Sequence, residues 1–177
     1  LADVDYAESA GKKIKLLGRA IRREDGRVCA YVAPHLVGQS DPLAGVEDVF
    51  NAISVRGDAI GDVMFYGRGA GKLPTASAVV ADVIDVARNM GRRRALSWEP
   101  GGEDAACGVG ALKSRWYVRA TAAADELRAR LPGCKLLARR ESGGGESACL
   151  TEGALTQGAL EEKLAGLDVS SALRVLD

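Results

Sequence analysis

The chain has 177 residues, of which 47% are apolar, so it can bury the core of one ordinary domain or of two small ones. Lysine plus arginine and aspartate plus glutamate both number 24, and this balance excludes a general nucleic-acid-binding protein, which needs a basic excess. No apolar run is long enough to span a membrane, and the four cysteines are widely spaced. We therefore expect a cytoplasmic protein with free thiols, no metal site and no membrane partner.

The first ninety residues predict a mostly antiparallel, hairpin-connected sheet with one covering helix. Asp25-Gly26 is a hairpin-turn signal between two alternating segments, and Pro34 is expected to end the second one. The predicted elements are a short helix at 3–11 with Asp3 as a possible N-cap, strands at 13–21, 27–33, 48–57 and 62–67, and a helix from Pro74 to Gly91.

The rest of the chain predicts a second domain after a glycine-rich linker at 93–112. Thr156 is a suitable cap for its second helix, on which Leu160, Leu164 and Leu167 share one face. The predicted strands are 114–120, 134–140, 146–150 and 169–176, and the helices are 123–131 and 156–167. This β-α-β-β-α-β order is typical of the ferredoxin-like arrangement, so the predicted fold class is α+β.

A glycine-rich run, "GRGAGK", lies between the fourth predicted strand and the helix that follows it. Only three residues separate Gly67 from Gly71, one fewer than a phosphate-binding P-loop requires, and Leu73 replaces the metal-binding hydroxyl. The G-x-G-x-x-G dinucleotide fingerprint is not matched either. Spacing alone leaves two interpretations open: a turn that contacts a ligand through its backbone, or a turn that needs glycine only for its geometry.

The segment around this run resembles a known family. "VFNAISVRGDAIGDVMFYGRGAGKLPTASAVVADVIDVARN", at 49–89, is similar to the later catalytic region of homoserine dehydrogenases, and "VDYAESAGKKIKLLGRAI" and "DPLAGV" precede it in the family's order and spacing. The resemblance implies an NAD(P)-dependent oxidoreductase that interconverts L-homoserine and L-aspartate semialdehyde in threonine and methionine biosynthesis. A phosphate-binding domain unrelated to dehydrogenases would not explain the match outside the loop.

The resemblance implies that this loop approaches the nicotinamide end of the cofactor. Gly69 is the first candidate for that contact, with Gly67, Ala70, Gly71 and Thr75 beside it. The family's dinucleotide-binding domain and its catalytic lysine segment have no counterpart in 1–177, and we expect them upstream of residue 1. No catalytic residue is therefore assigned, the fragment alone is expected to be inactive and to bind no cofactor tightly, and its partners are expected to be the missing domain and a second copy in a dimer.

The predicted domain at 113–177 is similar to ACT-type regulatory domains, which implies pairing and amino-acid binding. "ATAAA", at 120–124, stands where that family has its ligand loop, so the comparison favours a structural or dimerising role over threonine sensing. The alternative function is a standalone regulatory or dimerisation module with an ACT-like amino-acid-binding domain. The single histidine, His35, is predicted to be a surface or packing residue.

Overall fold

The structure of the chain, a computed structural model, describes residues 2–92, 102, 104–139 and 145–177. It has an α+β fold with mostly antiparallel strand pairs, as predicted. The helices and strands are α1 (Ala2–Ser9), β1 (Lys12–Arg22), β2 (Val28–Gly38), β3 (Phe50–Gly57), β4 (Gly61–Arg68), α2 (Lys72–Arg88), β5 (Trp116–Thr121), α3 (Ala124–Arg130), β6 (Lys135–Leu137), β7 (Ser147–Leu150), α4 (Gln157–Lys163) and β8 (Asp168–Val175). Within the described ranges, no helix is long and apolar enough to cross a membrane.

The chain folds into two compact units. Unit 1 combines Leu1–Ala44 with Gly101–Asp177, and unit 2 is Gly45–Pro100. Unit 1 contains a six-stranded sheet in the order β1-β2-β8-β5-β7-β6. Its two halves meet where β2 and β8 run parallel, a contact limited to the pairs His35↔Arg174 and Leu36↔Val175.

Strands β5 to β8 and helices α3 and α4 have the predicted β-α-β-β-α-β order. The spatial order β8-β5-β7-β6, with antiparallel neighbours, places one antiparallel strand between the two parallel strands of each β-α-β unit. Thr156 caps α4, because its hydroxyl accepts a hydrogen bond from the Ala159 N–H at 3.3 Å. One face of this sheet and both helices form an apolar cluster that includes Trp116, Leu127 and Leu160.

Helix α1 covers the other face of the sheet, where Tyr6 and Ala7 pack with Tyr117 and Leu36. Asp3 lies inside this helix and is not its N-cap, so that prediction is wrong. Its carboxylate instead accepts hydrogen bonds from the Tyr117 hydroxyl at 2.7 Å and the Arg119 Nε at 2.8 Å. Burial favours the neutral form of Asp3, but these hydrogen bonds outweigh burial and lower the pKa of the carboxyl.

The first hairpin forms as predicted, with β1 and β2 joined through the turn at Asp25-Gly26. Pro34 does not end β2, however, because the strand continues to Gly38 with Pro34 opposite Leu16. Proline has no N–H to donate to a neighbouring strand. No hydrogen bond to β8 is lost at Pro34, because β8 pairs with β2 only from His35 onward.

Helix α2 does not cover a sheet, contrary to prediction. None of its residues is buried, and the apolar side chains of Val79, Val83 and Ile84 are 56%, 62% and 45% exposed. The two-stranded β3–β4 sheet of the same unit is exposed as well, with Ile53 at 66% and Phe65 at 63%. The physical reason is that β1 and β2 belong to the sheet of unit 1, which leaves the helix only a hairpin within its own unit.

The units of the structure also differ from the predicted division into 1–92, a linker at 93–112 and 113–177. Strands β1 and β2 share a sheet with the predicted second domain. Part of the predicted linker is bonded to β2, because Val28 N–H donates to Ala105 O at 2.9 Å and Cys107 N–H donates to Val28 O at 3.0 Å. Residues 93–101, 103 and 140–144 lie outside the described residues. They include all but Gly145 of Ser142-Gly143-Gly144-Gly145, which the sequence predicts as the turn between the strands at 134–140 and 146–150.

Candidate functional site

The five predicted site residues lie together at the turn between β4 and α2. Gly67 is still part of the hairpin ladder, where it stands opposite Asn51. The chain then leaves the sheet after Arg68, and the next three residues lead directly to the first residue of α2, Lys72. The turn is exposed, so its backbone is accessible to a ligand.

Gly71 sets the direction in which the helix begins. It is the N-cap residue with φ of +125°, a conformation that favours glycine, and no side chain caps the helix there. Its carbonyl accepts a hydrogen bond from the Thr75 N–H at 3.1 Å, which closes the first helical turn. Pro74 lies in that turn as predicted, where a missing N–H leaves no bond unmade.

A side chain at Gly69 would meet the side chain of Asn51. A Cβ at this position would lie 2.2 Å from Asn51 Nδ2 and 2.8 Å from Asn51 Cγ, whereas a Cβ at Gly67 would meet nothing within 4 Å. The turn therefore brings its backbone against the Asn51 side chain. Sequence reasoning did not assign Asn51 to the site, although a polar residue between the apolar Val49 and Ile53 of one strand face was a usable signal.

Two aromatic rings extend the site along the hairpin. The rings of Phe50 and Tyr66 are stacked at 4.9 Å between centroids and 6° between planes. The guanidinium carbon of Arg68 lies 5.0 Å from the Phe50 centroid, within range of a cation–π interaction. These residues were also missed, because strand alternation alone does not show which rings stack across a hairpin.

At the far end of the hairpin, Arg56 Nε donates to Asp62 Oδ1 at 2.6 Å and lowers the pKa of that carboxyl. Both partners are well exposed, so the pair adds little stability. The site thus offers backbone groups, an amide, stacked rings and a cation. Groups of these kinds can position a ligand, but they are not general acids or bases near neutral pH.

The single histidine lies in unit 1, away from the predicted site residues in sequence, and is fully buried. His35 Nδ1 lies 2.9 Å from Ala33 O, and Nε2 lies 3.1 Å from the Tyr31 hydroxyl. The carbonyl accepts only, so Nδ1 carries the proton and Nε2 accepts from the hydroxyl. Burial lowers the pKa of His35, and the nearby Arg19 and Arg174 act in the same direction. The structure confirms the packing role and not a surface position.

Comparison with known protein families and sequences agrees with the resemblance to homoserine dehydrogenases that the sequence of the first half of the chain shows. The model of the homoserine dehydrogenase family matches residues 1–84. Homoserine dehydrogenase from Neisseria gonorrhoeae is 51% identical over 87 residues, which are 49% of this chain and 20% of that protein. The Pseudomonas aeruginosa protein of the same name is 49% identical over 89 residues, which are 50% of this chain and 20% of that protein.

Solved structures extend the similarity beyond that segment. The homoserine dehydrogenase from Thiobacillus denitrificans aligns over 99% of this chain with a TM-score of 0.82 and 29% identity. The homoserine dehydrogenase from S. aureus aligns over 99% of this chain with a TM-score of 0.73 and 33% identity. This chain covers 45% and 44% of those two proteins, less than half of their length. The sequence similarity to the homoserine dehydrogenase family thus covers residues 1–84, and the structural similarity to homoserine dehydrogenases extends along nearly the whole chain.

Proposed function

We propose that this chain is the later part of the catalytic region of an NAD(P)-dependent homoserine dehydrogenase, followed by an ACT-like domain. The proposed reaction interconverts L-homoserine and L-aspartate semialdehyde in threonine and methionine biosynthesis, in the cytoplasm. The observation that carries this proposal is the match of residues 1–84 to the homoserine dehydrogenase family, a segment that includes the exposed glycine turn at Gly69.

The turn fits a cofactor-contacting role because its backbone is exposed and unobstructed. A ring of the nicotinamide type needs a flat surface without a projecting side chain, and Gly69 and Ala70 supply little more than main chain. When bound, the cofactor supplies or accepts the hydride. The contribution of Gly67, Gly69, Ala70, Gly71 and Thr75 is to hold its reactive end in position, and such positioning contributes strongly to a reaction between two bound molecules.

The exposed apolar surface of unit 2 supports a partner on this unit. The apolar face of α2 and one face of β3–β4 are left open to solvent, and a surface of this kind in an isolated chain marks an interaction site. The partners we propose are the family's dinucleotide-binding domain and a second copy of the chain. The 177-residue chain alone is then catalytically inactive and dimeric.

The experiment is a chimera in which this chain replaces the aligned part of the Thiobacillus denitrificans enzyme. The chimera should oxidise NADPH in the presence of aspartate semialdehyde, whereas the isolated chain should not. In the chimera, Gly69→Ala should raise the KM for NADPH about tenfold, because the added methyl displaces Asn51 or the cofactor. Gly45→Ala, at an exposed glycine outside the turn where an added Cβ meets nothing within 4 Å, is the matched control and should leave KM within about twofold.

Three results would contradict the proposal. Turnover by the isolated chain would remove the need for the missing domain. Equal effects of Gly69→Ala and the control Gly45→Ala would remove the turn from the cofactor site. A purely monomeric species at micromolar concentration in light scattering would count against the proposed dimer.

The strand order of unit 1 favours the alternative of a regulatory or dimerising module. Strands β5 to β8 have the ferredoxin-like order on which the ACT-like assignment depends. Only Ala122 and Ala123 separate β5 from α3, so there is no ligand loop at that connection. We therefore propose an assembly role for this part. Calorimetry with threonine and other amino acids tests it, and saturable heat with threonine would show a sensing role instead.

A further inference from the structure

Strands β2 and β8 diverge and leave a cavity between them. They pair only at His35↔Arg174 and Leu36↔Val175, so on the N-terminal side of these pairs neither strand is bonded to the other. A cavity of about 490 Å³ occupies this gap, a volume within the range of small-molecule sites. All its lining residues belong to unit 1, among them Tyr31, Pro34, Trp116, Leu160, Leu164 and Ala172.

A buried cation lines this mostly apolar cavity. Arg174 is only 4% exposed. Its Nη1 donates to Ser114 Oγ at 2.8 Å and to Leu112 O at 3.3 Å, and its Nη2 donates to Val109 O at 3.3 Å. A guanidinium carries five N–H donors. Two of them, including the one on Nε, have no acceptor in the part of the chain that the structure describes.

The positive charge of Arg174 has aromatic neighbours and no counter-ion in the described ranges. Its guanidinium carbon lies 4.4 Å from the Trp116 ring centroid and 5.6 Å from that of Tyr31. Cation–π contacts compensate only part of the cost of burying a charge. Burial accordingly lowers the pKa of Arg174, although an arginine stays charged at neutral pH.

We propose that this cavity is a binding site for a small monocarboxylate with an apolar body. The carboxylate accepts hydrogen bonds from the free donors of Arg174, and the apolar body contacts Trp116, Leu160 and Leu164. Glu161 also lines the cavity, and its carboxylate disfavours a second negative charge on the ligand. Dicarboxylates and phosphate esters are therefore excluded from the proposed ligand class.

The test uses 3-phenylpropionate and its neutral isostere 3-phenylpropanamide as probes. Binding to the full chain is followed by calorimetry and by the NMR signal of the Trp116 indole N–H, which donates to Leu155 O at 2.9 Å. We expect 1:1 binding of the acid with Kd of about 0.1–1 mM, and binding of the amide about tenfold weaker, because a charge-assisted hydrogen bond is lost.

Two matched variants separate the cavity from the rest of the sheet. Ala172→Phe fills the cavity from an exposed strand position, so it should abolish binding of the acid without removing a core side chain. Ala20→Phe makes the same change on β1 outside the cavity and should leave the affinity within about twofold. Arg174→Lys should weaken acid binding about tenfold, since lysine lacks the planar fork. If Arg174→Lys fails to fold, the comparison of Ala172→Phe with Ala20→Phe still decides whether the acid binds in the cavity.

Equal affinity for acid and amide would overturn the proposal, because it would show apolar binding without recognition of charge. Unchanged acid binding in Ala172→Phe would place the ligand elsewhere. No binding of the acid at about 5 mM would exclude the site for this class at a useful affinity. None of these results depends on the dehydrogenase activity, so the proposed function and this site can fail separately.

Discussion

The buried histidine predicts a specific dependence of stability on pH. His35 is 0% exposed and is the single histidine of the sequence, so titration between pH 5 and 7 can be assigned to one imidazole. The neutral ring matches its neighbours, since Nδ1 donates to Ala33 O and Nε2 accepts from the Tyr31 hydroxyl. Arg19 Nη1 also donates to that hydroxyl, at 3.3 Å. Protonation would therefore direct a second donor at an oxygen that already accepts one.

The sign of the effect follows from the lowered pKa of His35. The unfolded chain takes up the proton near pH 6.5, whereas the folded chain takes it up at lower pH. The stability contributed by the neutral ring is complete above the unfolded pKa and is lost as pH falls through the interval below about 6.5. The loss has an upper limit of about 1.4 kcal/mol per pH unit, or about 5 °C in Tm.

The assay combines urea unfolding from pH 8 to 5 with an NMR titration of the imidazole Hε1 signal. The variant His35→Asn is expected to be less stable at pH 7.5 but to lose the pH dependence between pH 5 and 7. An Hε1 midpoint at or above about 6.5 in the folded chain would refute the reasoning. An unchanged pH slope in His35→Asn would refute it as well, because the protons taken up would then belong to other groups.

Two further predictions concern packing and charge in unit 1. Leu127→Ala should lower the free energy of unfolding by about 3 kcal/mol in urea titrations, since Leu127 is 0% exposed in an apolar cluster. The control Leu16→Ala, at a side chain 73% exposed, should change it by less than about 0.5 kcal/mol. Asp3→Asn should destabilise the chain by about 1 kcal/mol at pH 7 through the loss of its charged contact with Arg119. The Asp3 carboxylate stabilises the folded chain fully above its ordinary pKa, and this stabilisation is lost as pH falls through the lowered pKa of the folded state. A stability difference between Asp3→Asn and the unchanged chain that stays constant down to pH 2 would therefore contradict the role given to the carboxylate.

Local signals in the sequence predicted most of the elements. Asp25-Gly26 predicted the first hairpin, Thr156 predicted the start of α4, and the spacing of Leu160 and Leu164 predicted its buried face. These features depend on residues close together in the chain, and the alternation or cap that causes them can be read directly.

Features that depend on distant residues were not predicted. Strands β2 and β8 are joined by two residue pairs, and the partners in each pair lie about 140 positions apart in the sequence. The hydrophobic periodicity of the sequence does not show which distant strands pair. Strand β2 continues past Pro34 because its pairing with β1 extends to Lys12↔Gly38. In the candidate site, the turn was located from its glycines, but the Asn51 contact required the hairpin register.

The placement of β8 constrains the order in which this chain can fold during synthesis. It is the last of the described strands to be made, at Asp168–Val175, yet it lies in the interior of the sheet between β2 and β5. The ribosome must therefore release Asp168–Val175 before the two halves of the sheet can join. Until then both flanking strands have an open hydrogen-bonding edge, which is the state most prone to pairing with the wrong strand. Slow translation late in the chain would prolong that exposure, whereas chaperone contact with β2 would protect it.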